Sequence, residues 1–170
     1  RQRSQRLALL FIDLDHFKEV NDTLGHSMGD MLLVEAAQRI TACLRSTDTV
    51  ARLGGDEFAI IITEIVGSEP AAHLSQRIIQ SLAQPFVLGA ELAYVTASVG
   101  ITLSPEDGSD IDVLFKHADQ AMYLSKSRGR NRYSFFTRDL EIQSQHRLRL
   151  ANDLRQALPL QQLFVLYQPI

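Results

Sequence analysis

Two acidic pairs end hydrophobic segments, and their types and spacing suit metal-assisted phosphate chemistry. Asp13 and Asp15 close one apolar run, and Asp56 and Glu57 follow a Gly-Gly pair. Strand residues two apart point to the same face. If the second segment is a hairpin beside the first strand, four carboxylates converge, and their repulsion calls for a cation such as Mg²⁺. Any one of these acids alone is more typical of a solvated turn, and the metal interpretation depends on two acidic pairs occurring together.

A cationic segment, Ser125–Arg132, holds four basic side chains in eight residues. It follows a predicted helix, and cations at a helix C-terminus are favoured by the helix dipole. The alternative is a phosphate clamp, in which Lys126 and Arg130 contact one triphosphate. Composition alone does not separate these two interpretations.

The elements that must position these groups are read from periodicity and turn residues. The first strand is Leu7–Asp15, and Asn21–His26 is expected to be a loop. A stripe of Leu33, Ala37, Ile40 and Leu44 indicates the core face of a helix. The remaining expected helices and strands are: helices Gly29–Arg45, Ala71–Ala83 and Asp112–Ser127; strands Val50–Leu53, Phe58–Ile62, Pro85–Leu88, Tyr94–Leu103 and Tyr133–Phe136. Together they predict an α+β (α/β sandwich) fold with one sheet.

Composition excludes several classes of protein. The 170 residues include 17 basic and 20 acidic side chains, a net charge of -3 that disfavours a duplex nucleic-acid binder. The single cysteine, Cys43, excludes an internal disulfide and the common zinc frameworks, and it fits a reducing, cytoplasmic compartment. The longest apolar runs are far shorter than the ~20 residues of a membrane span. Whether the parent protein is membrane-anchored stays open.

Several motifs occur together, and they resemble the GGDEF domain of bacterial diguanylate cyclases from about Leu7 to Phe136. They are Phe11-Ile-Asp-Leu-Asp-His-Phe-Lys18, Asn21-Asp-Thr-Leu-Gly-His26, Gly29-Asp30, Arg52-Leu-Gly-Gly-Asp-Glu-Phe58, Thr96-Ala-Ser-Val-Gly-Ile101, Ala121-Met-Tyr-Leu-Ser-Lys126 and Gly129-Arg-Asn131. The resemblance implies a palm-like domain, as in nucleotide cyclases and polymerases, with a largely antiparallel central sheet flanked by helices. It also implies that two GTP, one on each subunit of a homodimer, become cyclic di-GMP and two pyrophosphates.

The same resemblance implies the site residues and a Mg²⁺ or Mn²⁺ cofactor. The implied catalytic residues are Asp56, which accepts the proton of the 3′-hydroxyl, Glu57 and Lys18. The implied metal ligands are Asp13, the backbone carbonyl of Leu14, Asp56 and Glu57. The implied substrate-binding residues are Asn21 and Asp30 for guanine, Lys126 and Arg130 for the triphosphate, and Gly54 and Gly55. His16 fills a position that varies in the family.

Arg45 and Asp48 lie three apart just before the hairpin and match the family's product-inhibition motif. Arg77, on the next helix, is a candidate helper. The alternative is a purely structural role, in which Arg45 is favoured by the dipole at a helix C-terminus and Asp48 lies in a turn. The resemblance implies instead that intercalated cyclic di-GMP dimers bind here and hold the subunits apart.

The last 34 residues differ in character and resemble the opening of an EAL domain, the cyclic di-GMP phosphodiesterase that often follows a GGDEF domain. The resemblance rests on Asp153–Leu158 and Phe164–Ile170. The expected organisation is therefore a GGDEF domain over 1–136, a linker helix over 137–158 and a truncated first EAL strand over 159–170, without phosphodiesterase activity. The alternative function is a GTP-binding regulatory module that controls a following EAL domain, and a nucleotide-free scaffold is a third.

Overall fold

A computed structural model describes residues 6–157 and 159–162. The chain divides into two compact units, Arg1–Thr137 and Arg138–Ile170. The helices and strands follow in chain order: β1 Leu7–Asp15, α1 Phe17–Leu24, α2 His26–Ala42, β2 Thr49–Gly54, β3 Glu57–Thr63, α3 Glu69–Leu82, β4 Phe86–Leu88, β5 Glu91–Ala93, β6 Thr96–Ser104, α4 Ile111–Ser127, β7 Arg132–Phe135 and α5 Arg138–Ala157. The expected last strand, 163–167, lies outside the described residues.

The first unit is built on a five-stranded sheet in the order β2-β3-β1-β6-β7. The central strand β1 runs antiparallel to both β3 and β6, and β7 joins β6 in parallel. Asp13 on β1 lies opposite Glu57 of β3 on one side and opposite Ser98 of β6 on the other. The mixed sheet with flanking helices confirms the expected α+β, palm-like fold.

Alternation along β1 assigns its side chains to two layers, because successive strand residues point to opposite faces. Leu10 and Ile12 are fully buried in the larger core, which includes residues of α2 and α3. Leu9 and Phe11 belong to a smaller cluster with Leu114 and other residues of α4. The same alternation places the acidic side chains that end β1 on the α4 face of the sheet.

Helix α4 lies directly on β6, and Gly100 permits that close approach. A Cβ atom added at Gly100 would lie 1.9 Å from the backbone oxygen of Ala118 and 2.3 Å from the backbone nitrogen of Met122. Asp110 caps the N-terminus of α4, and its carboxylate accepts hydrogen bonds from the backbone N–H groups of Asp112 at 2.9 Å and Val113 at 3.3 Å. This packing fixes the far end of α4, where the cationic segment starts.

Several predicted boundaries were wrong. The expected loop 21–26 is mostly helical, because α1 runs to Leu24 and α2 already begins at His26. Leu33 and Ile40 of the predicted stripe are buried, but Leu44 lies beyond the end of α2. The turn at Gly89 joins β4 to β5 in a separate two-stranded sheet rather than to β6.

The second unit contains α5, a polar helix over the segment where a helix was predicted. Its apolar side chains Ile142, Leu148, Leu150 and Leu154 are exposed. Within residues 6–157 and 159–162, no helix has the length and hydropathy needed to cross a membrane. The role of α5 as a linker stays a prediction.

Candidate functional site

A polar cleft of about 380 Å³ opens where β1 ends, where the β2–β3 turn lies and where α4 stops. Three chain segments line it, and they come from positions far apart in the sequence. The lining residues are Asp13, Leu14, Asp15, His16, Phe17, Lys18, Glu19, Asp22, Asp56, Lys126 and Arg130. The fold therefore brings together the first acidic pair, Asp56 and two members of the cationic segment.

The β2–β3 hairpin lies beside β1, as the clustering of acids required. The backbone N–H of Leu14 donates to the backbone oxygen of Asp56 at 3.2 Å, which ties the turn to the end of β1. The turn itself is held by Arg52, whose Nε donates to the backbone oxygen of Gly55 at 2.9 Å. Gly54 ends β2 and pairs with Glu57, so the two residues of the turn are Gly55 and Asp56.

The carboxyl of Asp13 has a raised pKa. Burial raises the pKa of its carboxyl, and the negative charges of Asp56 and Asp15 raise it further, while the hydrogen bond from Lys126 lowers it. The Lys126 ammonium donates to Asp13 Oδ1 at 2.8 Å. A buried carboxylate facing another carboxylate is stabilised by any cation between them, and Lys126 already supplies one such charge.

The expected convergence of four carboxylates was only partly right. Asp13, Asp15 and Asp56 line the cleft and Glu57 does not, and the carboxylate of Asp15 is held by β6. It accepts hydrogen bonds from the hydroxyls of Thr96 at 2.6 Å and Ser98 at 2.8 Å on β6. Across residues 6–157 and 159–162, no three His, Cys, Asp or Glu side chains are grouped to share one metal ion. The donors that remain, Asp13, Asp56 and backbone carbonyls, fit Mg²⁺ only if water and phosphate oxygens complete the shell, as is usual for that ion.

Lys18 reaches the cleft from α1 because the chain reverses immediately after β1. His16 makes the reversal in the left-handed region at φ 64°, an uncommon conformation for a residue other than glycine. Its Nδ1 lies 2.7 Å from Glu19 Oε1 within the first turn of α1. Sequence reasoning gave His16 no role, and only the backbone conformation reveals that it sets the direction of α1.

Asn21 and Asp30 do not line this cleft. Asn21 packs against Gly29, where an added Cβ would lie 1.8 Å from Asn21 Oδ1 and would displace the Asn21 amide. The exposed side chain of Asp30 borders a separate, shallow groove of about 680 Å³ along α2, together with Met31 and Val34. The two predicted guanine-binding residues therefore share the α1–α2 pair but lie outside the pocket of acids and cations.

Arg45, Asp48 and Arg77 line one second cavity of about 260 Å³. Asp48 Oδ2 accepts from the backbone N–H of Arg45 at 2.8 Å, and the Asp48 N–H donates to the Arg45 oxygen at 3.1 Å, so the segment forms a closed turn. Glu69 and His73 of α3 also line the cavity, and sequence reasoning missed both. Their spacing of four residues on one helix face was the signal that could have found them.

The fold and the cleft define a palm-like domain with an acidic and cationic site at the end of its central strand. Comparison with known families then assigns it: residues 1–132 match the family described as "Diguanylate cyclase, GGDEF domain". The chain belongs to the GGDEF diguanylate cyclase family.

Relatives and solved structures agree with this assignment. In Pseudomonas aeruginosa, the bifunctional diguanylate cyclase/cyclic di-GMP phosphodiesterase MucR is 46% identical over 97% of this chain, and the cyclic di-GMP phosphodiesterase NbdA is 44% identical over 100%. The chain spans only 24% and 22% of their lengths. The GGDEF domain of TpbB from the same organism superimposes with a TM-score of 0.80 at 39% identity, covering 83% of each chain. The GGDEF domain of DgcB from Caulobacter crescentus, solved in complex with c-di-GMP, has a TM-score of 0.70 at 30% identity and covers 77% of this chain and 78% of its own.

Proposed function

We propose that this domain is a diguanylate cyclase that condenses two GTP into cyclic di-GMP and two pyrophosphates across a homodimer. The observation that carries the proposal is the cleft itself. Asp13 and Asp56 lie beside Lys126 and Arg130 in one pocket, so acids able to hold a cation adjoin cations able to hold a triphosphate. Family membership supplies the substrate class, and the cleft has the charges that the chemistry requires.

The chemistry requires charge to be stabilised at both ends of an in-line displacement. Attack by a 3′-hydroxyl on an α-phosphorus builds negative charge on the phosphoryl oxygens and on the leaving pyrophosphate. Lys18, Lys126 and Arg130 line the cleft and would stabilise that charge. Asp56, at the β2–β3 turn, accepts the proton of the 3′-hydroxyl, and Glu57 follows it on β3 opposite Asp13.

A divalent cation, Mg²⁺ or Mn²⁺, would supply Lewis-acid stabilisation of the phosphate oxygens when bound. Asp13, Asp56, Glu57 and the backbone carbonyl of Leu14 are the groups proposed to hold it. The raised pKa of Asp13 supports this assignment, because the repulsion from Asp56 that contributes to it is what a cation relieves. In the proposal Lys126 leaves its ion pair with Asp13 when the triphosphate arrives.

Guanine recognition is assigned to the α1–α2 pair. A carboxylate such as Asp30 accepts from the N1 and N2 donors of guanine, and adenine lacks that pair, so ATP leaves the acid unpaired. Asn21 packs against Gly29, the residue before Asp30, and in the proposal it shares the base with Asp30. The base would then lie outside the acidic cleft, which is consistent with a nucleotide that extends from the cleft onto the helices.

The cavity of Arg45, Asp48 and Arg77 is proposed as the product-inhibition site. Two guanidinium groups and a turn aspartate line one pocket, and arginine recognises phosphate or the Hoogsteen edge of guanine by paired hydrogen bonds. Cyclic di-GMP bound there would hold the catalytic domains of two subunits apart. No residue of this cavity lines the acidic cleft, so inhibition can be removed without touching the chemistry.

A second candidate function is a GTP-binding regulatory module within a phosphodiesterase. It is favoured by one specific observation: NbdA, 44% identical over the whole chain, is named a cyclic di-GMP phosphodiesterase. In that case the cleft binds GTP and controls a following EAL domain without forming product. The intact acids and Lys18 favour the cyclase, since binding alone does not need a proton acceptor.

Incubation with GTP and Mg²⁺, followed by chromatography for cyclic di-GMP and pyrophosphate, separates the two functions. The cyclase proposal predicts one cyclic di-GMP and two pyrophosphates for every two GTP consumed, and no reaction with ATP. Tight GTP binding by calorimetry without either product, at protein concentrations that permit a dimer, would leave the regulatory module as the function.

A further inference from the structure

The carboxylate of Asp15 is buried in the cleft and accepts three hydrogen bonds from the protein. The residue is 2% exposed. Oδ1 accepts from the Ser98 hydroxyl at 2.8 Å, and Oδ2 accepts from the Thr96 hydroxyl at 2.6 Å and from the backbone N–H of Asn131 at 3.2 Å. Arg130 Nε adds a positive charge 4.0 Å from Oδ1. With about four lone-pair directions in a carboxylate, three hydrogen bonds leave little capacity for a metal ion.

The hydrogen bond from Asn131 to Asp15 holds a segment whose backbone conformation is strained. Arg130 and Asn131 lie consecutively in the left-handed region, at φ 61° and 50°. Side chains other than glycine adopt this conformation rarely, and it persists where the surroundings impose it. One support is local: the Arg130 N–H donates to the Ser125 oxygen at 3.0 Å. The other comes from Asp15, 116 residues earlier in the chain.

The two acids of β1 therefore contact different parts of the cationic segment. Asp13 pairs with Lys126, at the end of α4, and Asp15 binds the backbone just beyond Arg130. Both cations line the cleft. Since Asp15 is fixed to β6 by two hydroxyls, its bond to Asn131 connects the segment after α4 to the centre of the sheet.

We propose that Asp15 is a positioning residue, whose carboxylate holds the backbone at Asn131 and thereby places Arg130 in the cleft for the triphosphate. The inference rests on the proposed function only for the identity of the ligand. The structural part, that Asp15 holds the 129–132 segment, is testable in the protein without nucleotide.

The first measurement is the hydrogen exchange of the Asn131 amide, followed by NMR without nucleotide. Loss of a charge-assisted hydrogen bond in Asp15→Ala should accelerate that exchange about tenfold or more. Asp15→Asn should stay within about threefold of the wild type, because the amide oxygen can accept from Asn131 and the amide nitrogen can donate to Ser98. If Asp15→Ala does not fold, the triple variant Asp15→Ala/Thr96→Val/Ser98→Ala takes its place. It also removes the two hydroxyls that would lose their acceptor.

Asp107→Ala is the matched control variant. Asp107 Oδ2 also accepts from a backbone N–H, that of Leu103, at 2.7 Å, and it lies outside the cleft. It should change the exchange of Leu103 and leave Asn131 unaffected, whereas Asp15→Ala should do the reverse. Unchanged Asn131 exchange in a folded Asp15→Ala protein would overturn the proposal, as would an Asp15→Asn variant that exchanges as fast as Asp15→Ala.

The second measurement is steady-state kinetics with GTP. A positioning role predicts that Asp15→Ala raises KM for GTP about tenfold with a smaller change in kcat, and that Asp15→Asn restores most of the affinity. A metal ligand would behave differently, since an amide in its place should lower kcat as strongly as alanine. If the wild type makes no cyclic di-GMP yet Asn131 exchange responds as predicted, the proposed function fails and the positioning role stands.

Discussion

Replacing Gly100 by alanine should damage the protein more than any other single methyl group placed on its sheet. The added Cβ would lie 1.9 Å from the Ala118 oxygen and 2.3 Å from the Met122 nitrogen, and both are backbone atoms that no rotamer change can remove. To reach ordinary contact, α4 must move about 1.5 Å away from β6. The packing of Ala118 and Met122 on Leu9 and Phe11 is lost with that movement.

Overpacking a core typically costs 1–3 kcal/mol, and a rigid backbone neighbour places Gly100→Ala at about 3 kcal/mol or more. For a domain of this size that corresponds to a fall in Tm of roughly 10 °C. Because Lys126 lies on the displaced helix, its 2.8 Å contact with Asp13 should lengthen as well. Affinity for GTP should therefore fall in whatever fraction of the variant still folds.

Thermal and urea unfolding followed by circular dichroism measure the loss, and Gly67→Ala is the matched control. Gly67 has φ 73°, but an added Cβ meets nothing within 4 Å, so that substitution costs only backbone strain, about 1 kcal/mol. The difference between the two variants isolates the clash. A Gly100→Ala protein as stable as Gly67→Ala would refute the close packing of α4 on β6.

Three further predictions concern the inhibitory cavity, the metal and pH. Arg45→Ala should abolish calorimetric binding of cyclic di-GMP while leaving cyclase turnover intact, and equal affinity in variant and wild type would reject the site. Asp13→Ala should weaken Mg²⁺-dependent GTP binding, and the rise in Tm on adding Mg²⁺ with GTP should shrink with it. Burial raises the pKa of Asp107 above 3.8, so the wild type should lose stability relative to Asp107→Asn as pH rises from about 3.8 through that raised pKa. Urea unfolding across that range checks it, and a difference that is independent of pH would contradict the assigned burial effect.

The parts of the fold that local pattern determines were predictable from sequence. The apolar run that ends in Asp13 predicted β1, and the Gly54-Gly55 pair predicted the β2–β3 hairpin. The loop expected at Asn21 was wrong because α1 has no side-chain cap at its start and only eight residues to show a period. Its helical state depends on Phe17 and Val20 being buried, which is a tertiary effect.

The site was predictable in its residue types but less so in its contacts. Periodicity put Asp13 and Asp15 on one face, yet their partners decide what each can do. Asp15 is fixed by Thr96 and Ser98, more than 80 residues away. No local sequence pattern predicts a contact over that separation. Likewise, Arg45 and Arg77 share a cavity only because α3 lies beside the turn that follows α2.

The measurement that tests the central claim most directly is product formation by Asp56→Ala compared with Asp119→Asn. Asp119 is an exposed acid in the middle of α4 and lies outside the cleft, so its variant removes the same charge without touching the site. With GTP and Mg²⁺, the account predicts cyclic di-GMP from the wild type and from Asp119→Asn, and none from an Asp56→Ala protein that keeps its fold by circular dichroism. Undiminished cyclic di-GMP from Asp56→Ala would contradict the account.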